Sequence, residues 1–77
     1  MDIRRRLGLT VKELRGRKGW SQEELGFETD LHRTYISGIE RGVRNPTITV
    51  LARIAEALSV PPSRLLEGTE RRRRKRG

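Results

Sequence analysis

The side chains with the clearest chemical use in this 77-residue chain sit between Arg33 and Asn45. Arg33 can present two parallel N–H groups, the pattern that matches the O6 and N7 acceptors of guanine, and the hydroxyls of Thr34 and Ser37 can bond base edges or phosphates. Gly38, having no side chain, permits close approach of another molecule. Arg41, Arg44 and Asn45 follow in a loop that can meet a phosphate backbone or reach a second groove. Upstream, Gln22 stands where a helix begins. Free backbone N–H groups and the helix dipole favour an anion there, so its amide can clamp a phosphate. A single Arg on a small domain is more often a solvated side chain, but a set gathered on one side of a two-helix unit points to a polyanion.

Other chemistries lack their residues. There is no cysteine and one histidine, His32, so neither a thiolate metal site nor a histidine-built zinc site is available. No paired carboxylates face a pocket, no glycine-rich phosphate loop occurs, and no nucleophile neighbours a general base, which argues against an enzyme and implies no cofactor. With one Trp, one Phe and one Tyr, Trp20, Phe27 and Tyr35, there is no aromatic platform for stacking single-stranded bases. Apolar runs are a few residues long, too short to span a membrane. Arg4-Arg5-Arg6 precedes no apolar segment of the kind that completes a signal peptide, so the expected location is the cytoplasm.

The net charge of +8 divides unevenly. Residues 71–76 hold six of the 18 Lys and Arg, which leaves 12 against 10 acids and a net of +2 for the rest. A block of like charges repels itself and has nothing to bury. Residues 69–77 are therefore expected as a disordered basic tail behind one domain over 1–68, its role either solubility or general attraction to phosphates.

Helical periodicity organises the domain. Leu7, Val11 and Leu14 recur at i, i+4 and i+7, a first helix that stops near Lys18-Gly19. Trp20-Ser21-Gln22-Glu23-Glu24-Leu25 carries a capping box from Ser21 and Glu24, with Trp20 and Leu25 placed for a hydrophobic staple, and starts a second helix at Gln22. Thr29-Asp30-Leu31 breaks it, Asp30 tolerating a left-handed backbone. A third helix runs from about Arg33 to Glu40 with Ile36 and Ile39 inward. Thr47 caps a fourth helix bearing Ile48, Leu51, Ala55 and Leu58, with Val50 and Ile54 as a second stripe. Val60-Pro61-Pro62-Ser63 leads into a short fifth helix bearing Leu65 and Leu66. The fold class is all-α, a five-helix bundle whose second and third helices form a helix-turn-helix. Trp20, Leu25, Ile48, Leu51, Leu65 and Leu66 complete an expected core that is small for a stable monomer. Val50, Ile54, Val60, Leu65 and Leu66 either meet a second copy or close the bottom of one protomer, and the size of the core favours the second copy.

Residues 7–67 resemble the Cro/C1-type (XRE) helix-turn-helix family, the lambda-repressor-like fold. The resemblance rests on Ser21-Gln22-Glu23-Glu24-Leu25, on Tyr35-Ile36-Ser37-Gly38-Ile39-Glu40-Arg41-Gly42, on Asn45-Pro46-Thr47 and on Leu65-Leu66-Glu67-Gly68. More narrowly, Gly26-Phe27 with the run from Leu31 to Asn45 is similar to the controller proteins of restriction-modification systems. The resemblance implies a sequence-specific regulator that binds double-stranded DNA as a homodimer on an inverted-repeat operator, with RNA polymerase as a further partner when it activates. It implies Arg33 as base reader, Thr34, Tyr35, Arg44 and Asn45 as further DNA contacts, Gln22 as phosphate ligand, and a structural ion pair between Arg15 and Glu40. An antitoxin-like or phage-type repressor, whose main partner is another protein, is the alternative.

Three positions depart from the family pattern. Gly26 replaces a small Ala, at about 1 kcal/mol in helix propensity if nothing compensates. Asp30 stands where Gly is preferred in the turn. His32 occupies the N-cap of the third helix, where Ser or Thr is common and caps better.

Overall fold

A computed structural model describes residues 2–67, so the basic tail expected over 69–77 lies outside the described residues. The first four helices each begin where a side chain satisfies a free backbone N–H, while the short fifth starts at proline without one. Helix α1, Ile3–Arg17, starts at Asp2, whose carboxylate accepts the Arg4 amide at 2.8 Å. The Arg4 side chain and amide together hold that carboxyl below its ordinary range. At the other end the chain turns at Gly19, φ 73°, and the Trp20 N–H donates to the Arg15 carbonyl.

Helix α2, Gln22–Thr29, opens with the capping box: the Glu24 amide donates to the Ser21 hydroxyl at 3.0 Å, and the Ser21 amide to the Glu24 carboxylate at 2.7 Å. It closes on Asp30 in the left-handed region, φ 59°. Helix α3, Arg33–Glu40, is capped by His32 as expected from its position, through ring Nδ1 accepting the Thr34 amide at 3.1 Å. An imidazole nitrogen thus supplies the acceptor that a Ser or Thr hydroxyl would otherwise offer. Helix α4, Ile48–Ala57, is capped by Thr47, and the chain reverses through Ser59, φ 63°, into α5, Pro62–Leu65.

Helix α3 packs between α1 and α2, while α4 rests on α2 and carries α5. Their common interior is Leu7, Val11 and Leu14 from α1, Leu25 from α2, Ile36 and Ile39 from α3, Ile54 and Ala55 from α4, with Leu58 and Leu65 below. Trp20 and Leu51 are only partly buried against it. Two expected core residues fall outside: Ile48 is 83% exposed and Leu66 39%. Periodicity reports the face on which a side chain lies, but not whether a neighbour extends far enough to cover that turn. The expected dimer surface needs the opposite correction. Ile54 and Leu65 are fully buried in the protomer, so they close its own core and cannot meet a second copy, whereas Val50 and Val60 remain partly accessible.

Gly26 shows why its helix does without the usual Ala. A Cβ there would lie 2.5 Å from the Leu31 carbonyl oxygen, because the turn after α2 folds back tightly, with the Leu31 N–H donating to the Gly26 carbonyl at 2.8 Å. Propensity alone predicts that Gly26→Ala stabilises by about 1 kcal/mol. The clash with backbone reverses the sign, and we expect a net destabilisation of about 1–3 kcal/mol in urea unfolding. A variant more stable than the parent would show that the turn yields freely.

Candidate nucleic-acid interface

With 3.6 residues per turn, Arg33, Ser37 and Arg41 line one side of α3 and its C-cap, and Thr34 lies at the edge of that side. Arg33, Thr34 and Arg41 are exposed and Ser37 is half-buried; Ile36, Ile39 and Glu40 occupy the inner side. The helix therefore presents one guanidinium near its N-terminus, two hydroxyls along its length and a second guanidinium at its end. Donors of this kind and spacing can meet base edges and phosphates.

What aims that face outward is behind it. Glu40 is 6% exposed, and its carboxylate takes both prongs of Arg15, Nε to Oε2 at 2.7 Å and NH2 to Oε1 at 3.0 Å. The remaining Arg15 amino group donates to the Trp20 carbonyl at 2.7 Å, and Gln22 Nε2 donates to Glu40 Oε1 at 3.0 Å. One carboxylate thus joins α1, the α1–α2 turn, α2 and α3. Its hydrogen bonds hold the Arg15 guanidinium more firmly protonated than usual. Gln22 is consequently part of the frame. The residue is half-buried and spends one amide hydrogen on that carboxylate.

The loop after α3 supplies the rest. Arg44 and Asn45 are exposed and Tyr35 is half-buried, with the Arg44 guanidinium 5.5 Å from the centre of its ring. Gly38 corrects the expectation of an open outer surface: it is buried, because the side chain of Arg44 lies across it.

One positioning residue escaped the sequence reading. Gly8 lies on α1 where a Cβ would strike the carbonyl oxygens of Ile39 and Glu40, so its absence lets α1 come close enough for Arg15 to reach Glu40. The signal was there, a helix-interior glycine beside the buried Leu7. Among the described residues no group of His, Asp and Glu is arranged to hold a metal ion, and no helix is long and apolar enough to cross a membrane.

Residues 11–65 match the family model described as helix-turn-helix. The chain belongs to that family, in its Cro/C1-type (XRE) branch. Members are DNA-binding transcriptional regulators rather than enzymes. This helix-turn-helix regulator is 48% identical over 69 residues to control protein C.BamHI of Bacillus amyloliquefaciens, a match spanning 88% of this chain and 85% of that one. In three dimensions it is similar to the restriction-modification controller protein C.AhdI of Aeromonas hydrophila, with a TM-score of 0.79 and 40% identity over 80% of this chain and 94% of that one. It is also similar to the controller protein C.Esp1396I, solved as a tetramer in complex with its natural 35 base-pair operator, with a TM-score of 0.78, 38% identity and coverage of 90% and 91%.

The buried pair behind the helix makes a testable demand. Removing one member of a buried ion pair strands the other charge, which typically costs about 3–5 kcal/mol. Glu40→Ala leaves Arg15 and Gln22 without their shared acceptor, and we expect a loss near the lower end of that range because Arg15 keeps the Trp20 carbonyl. Thermal unfolding of the variant reads it, and an unchanged midpoint would mean that the pair does not hold the helices together.

Proposed function

We propose that this helix-turn-helix regulator binds a specific inverted-repeat operator as a homodimer and acts as the controller of a restriction-modification system in the bacterial cytoplasm. The observation that carries the reading is the exposed donor face of α3, Arg33, Thr34, Ser37 and Arg41, on a helix fixed from behind by Glu40. The likeness to controller proteins, one of them solved on its operator, supports its assignment to restriction-modification control. In this reading Arg33 reads a base in the major groove. Thr34, Tyr35, Arg44 and Asn45 extend the contact, Gln22 meets a phosphate, and RNA polymerase joins when the protein activates.

A two-fold dimer needs a self-complementary surface, and in this reading exposed apolar side chains contribute to it. Ile48 is 83% exposed, Ile3 54% and Leu66 39%. A shallow depression lined by Ile3, Arg4, Leu7, Asn45, Pro46, Leu51 and Leu66 includes two of them. With Val50 and Val60 this set replaces the surface that Ile54 and Leu65 would have formed. Two recognition helices must then stand about 34 Å apart to enter successive major grooves.

Selection of duplexes from a random pool tests the reading directly, because it reports base preference, symmetry and half-site spacing together. Arg33→Ala is expected to cost about 1–3 kcal/mol on the enriched duplex and to relax the preference at one position of each half-site. An equal loss on enriched and random duplexes would remove Arg33 as a base reader. Sedimentation equilibrium at micromolar concentration should give a dimer for the parent and a monomer for Ile48→Lys; a parent that runs as a monomer would defeat the homodimer.

A further inference from the structure

Gly38 sits inside α3, where glycine costs about 1 kcal/mol relative to alanine. Its backbone does not require it, since the positive-φ glycines of the described residues are Gly19 and Gly42. Nor does neighbouring backbone crowd it, unlike Gly8 and Gly26. The nearest atoms that a Cβ would meet all belong to one side chain, that of Arg44: Cγ in hard contact, Cβ at 3.4 Å and Cδ at 3.5 Å. The missing side chain is therefore a slot, and Arg44 fills it.

Two further contacts fix the same arginine. The Gly38 carbonyl accepts the N–H groups of both Val43 and Arg44, at 2.9 and 3.1 Å, which folds the loop back over the end of α3. Beyond the slot, the guanidinium stands 5.5 Å from the centre of the Tyr35 ring, a cation–π arrangement. Backbone, stem and head are each held. Gly38 and Tyr35 are one helical turn apart on the shoulder of the donor face, beside Thr34.

We propose that Gly38 is a positioning residue whose absent side chain seats Arg44 on the recognition helix, so that a guanidinium from outside the helix becomes a fixed part of the surface offered to the duplex. An unheld arginine loses considerable rotamer freedom on binding, whereas one already held in the free protein loses little. The inference rests on the DNA-binding reading above and adds to it that the donor face has a member supplied by the loop. The chemistry that receives Arg44 is a guanine edge or a phosphate oxygen.

The test is a double-mutant cycle on the duplex that the parent chain enriches from a random pool, with a scrambled duplex beside it. Gly38→Ala is expected to weaken binding to the enriched duplex by about tenfold, close to the loss from Arg44→Ala. The doubly substituted chain should bind no worse than Arg44→Ala alone, because of the three nearest atoms only the Cβ at 3.4 Å, an ordinary contact, then remains. A loss confined to the enriched duplex identifies a guanine edge and an equal loss on the scrambled one a phosphate; both support the seat. In the Arg44→Ala background the melting temperature should hold or rise with Gly38→Ala, following helix propensity.

Parent-like binding by Gly38→Ala overturns the inference. So does a full tenfold loss repeated in the Arg44→Ala background, or a lower melting temperature there, since either means that Gly38 acts through something other than Arg44. If the parent enriches no duplex, the sequence-specific reading falls and takes the inference with it; if it enriches one that Gly38→Ala holds equally well, the inference alone falls.

Discussion

A carboxylate buried to 3% side-chain exposure is tolerable only if charge and hydrogen bonds replace the water it has lost, and in this protein that requirement organises the helices. Glu40 obtains its compensation from Arg15 on α1 and Gln22 on α2, so those helices must lie at fixed positions relative to the end of α3. The bidentate geometry adds direction, because a planar guanidinium meets a carboxylate well only in one plane. A purely apolar contact would permit sliding. The recognition helix is consequently fixed in rotation as well as in place, and rotation decides which side chains face outward.

Much of this was legible in the sequence because it is local. Ser21 with Glu24, Asp30 and Thr47 mark helix boundaries through interactions that span at most a few residues, and the structure has them where the residue types require. Helix α3 falls between Arg33 and Glu40, as the spacing of Ile36 and Ile39 demands. The Cro/C1-type pattern added the non-local link between Arg15 and Glu40, which no periodicity could have supplied.

The misread residues depend on what lies opposite them. Ile48 and Ala55, seven residues apart, share one face of α4 on a helical wheel, yet Ala55 is 1% exposed and Ile48 83%. The difference is whether another helix extends to that turn. Gly38 reads as open surface from its place on α3, and only the return of the loop shows that Arg44 covers it. His32 stands at the N-cap where the sequence puts it, and only its ring orientation shows that Nδ1 accepts the Thr34 amide.

Gly8, Gly26 and Gly38 follow from one cause. A glycine within a helix is a local penalty of about 1 kcal/mol, and three of the four in these helices meet a close non-local neighbour in return, whereas Gly16 in the last turn of α1 faces open space. Gly8 lets α1 approach the carbonyls that end α3, Gly26 lets the turn close against α2, and Gly38 admits the stem of Arg44. The first two shape the frame around the Glu40 carboxylate and the turn that precedes α3. The third acts on the outer side of the same helix. At Gly38 the close neighbour is the stem of Arg44 rather than backbone, so what glycine allows there is the seat of that arginine against α3.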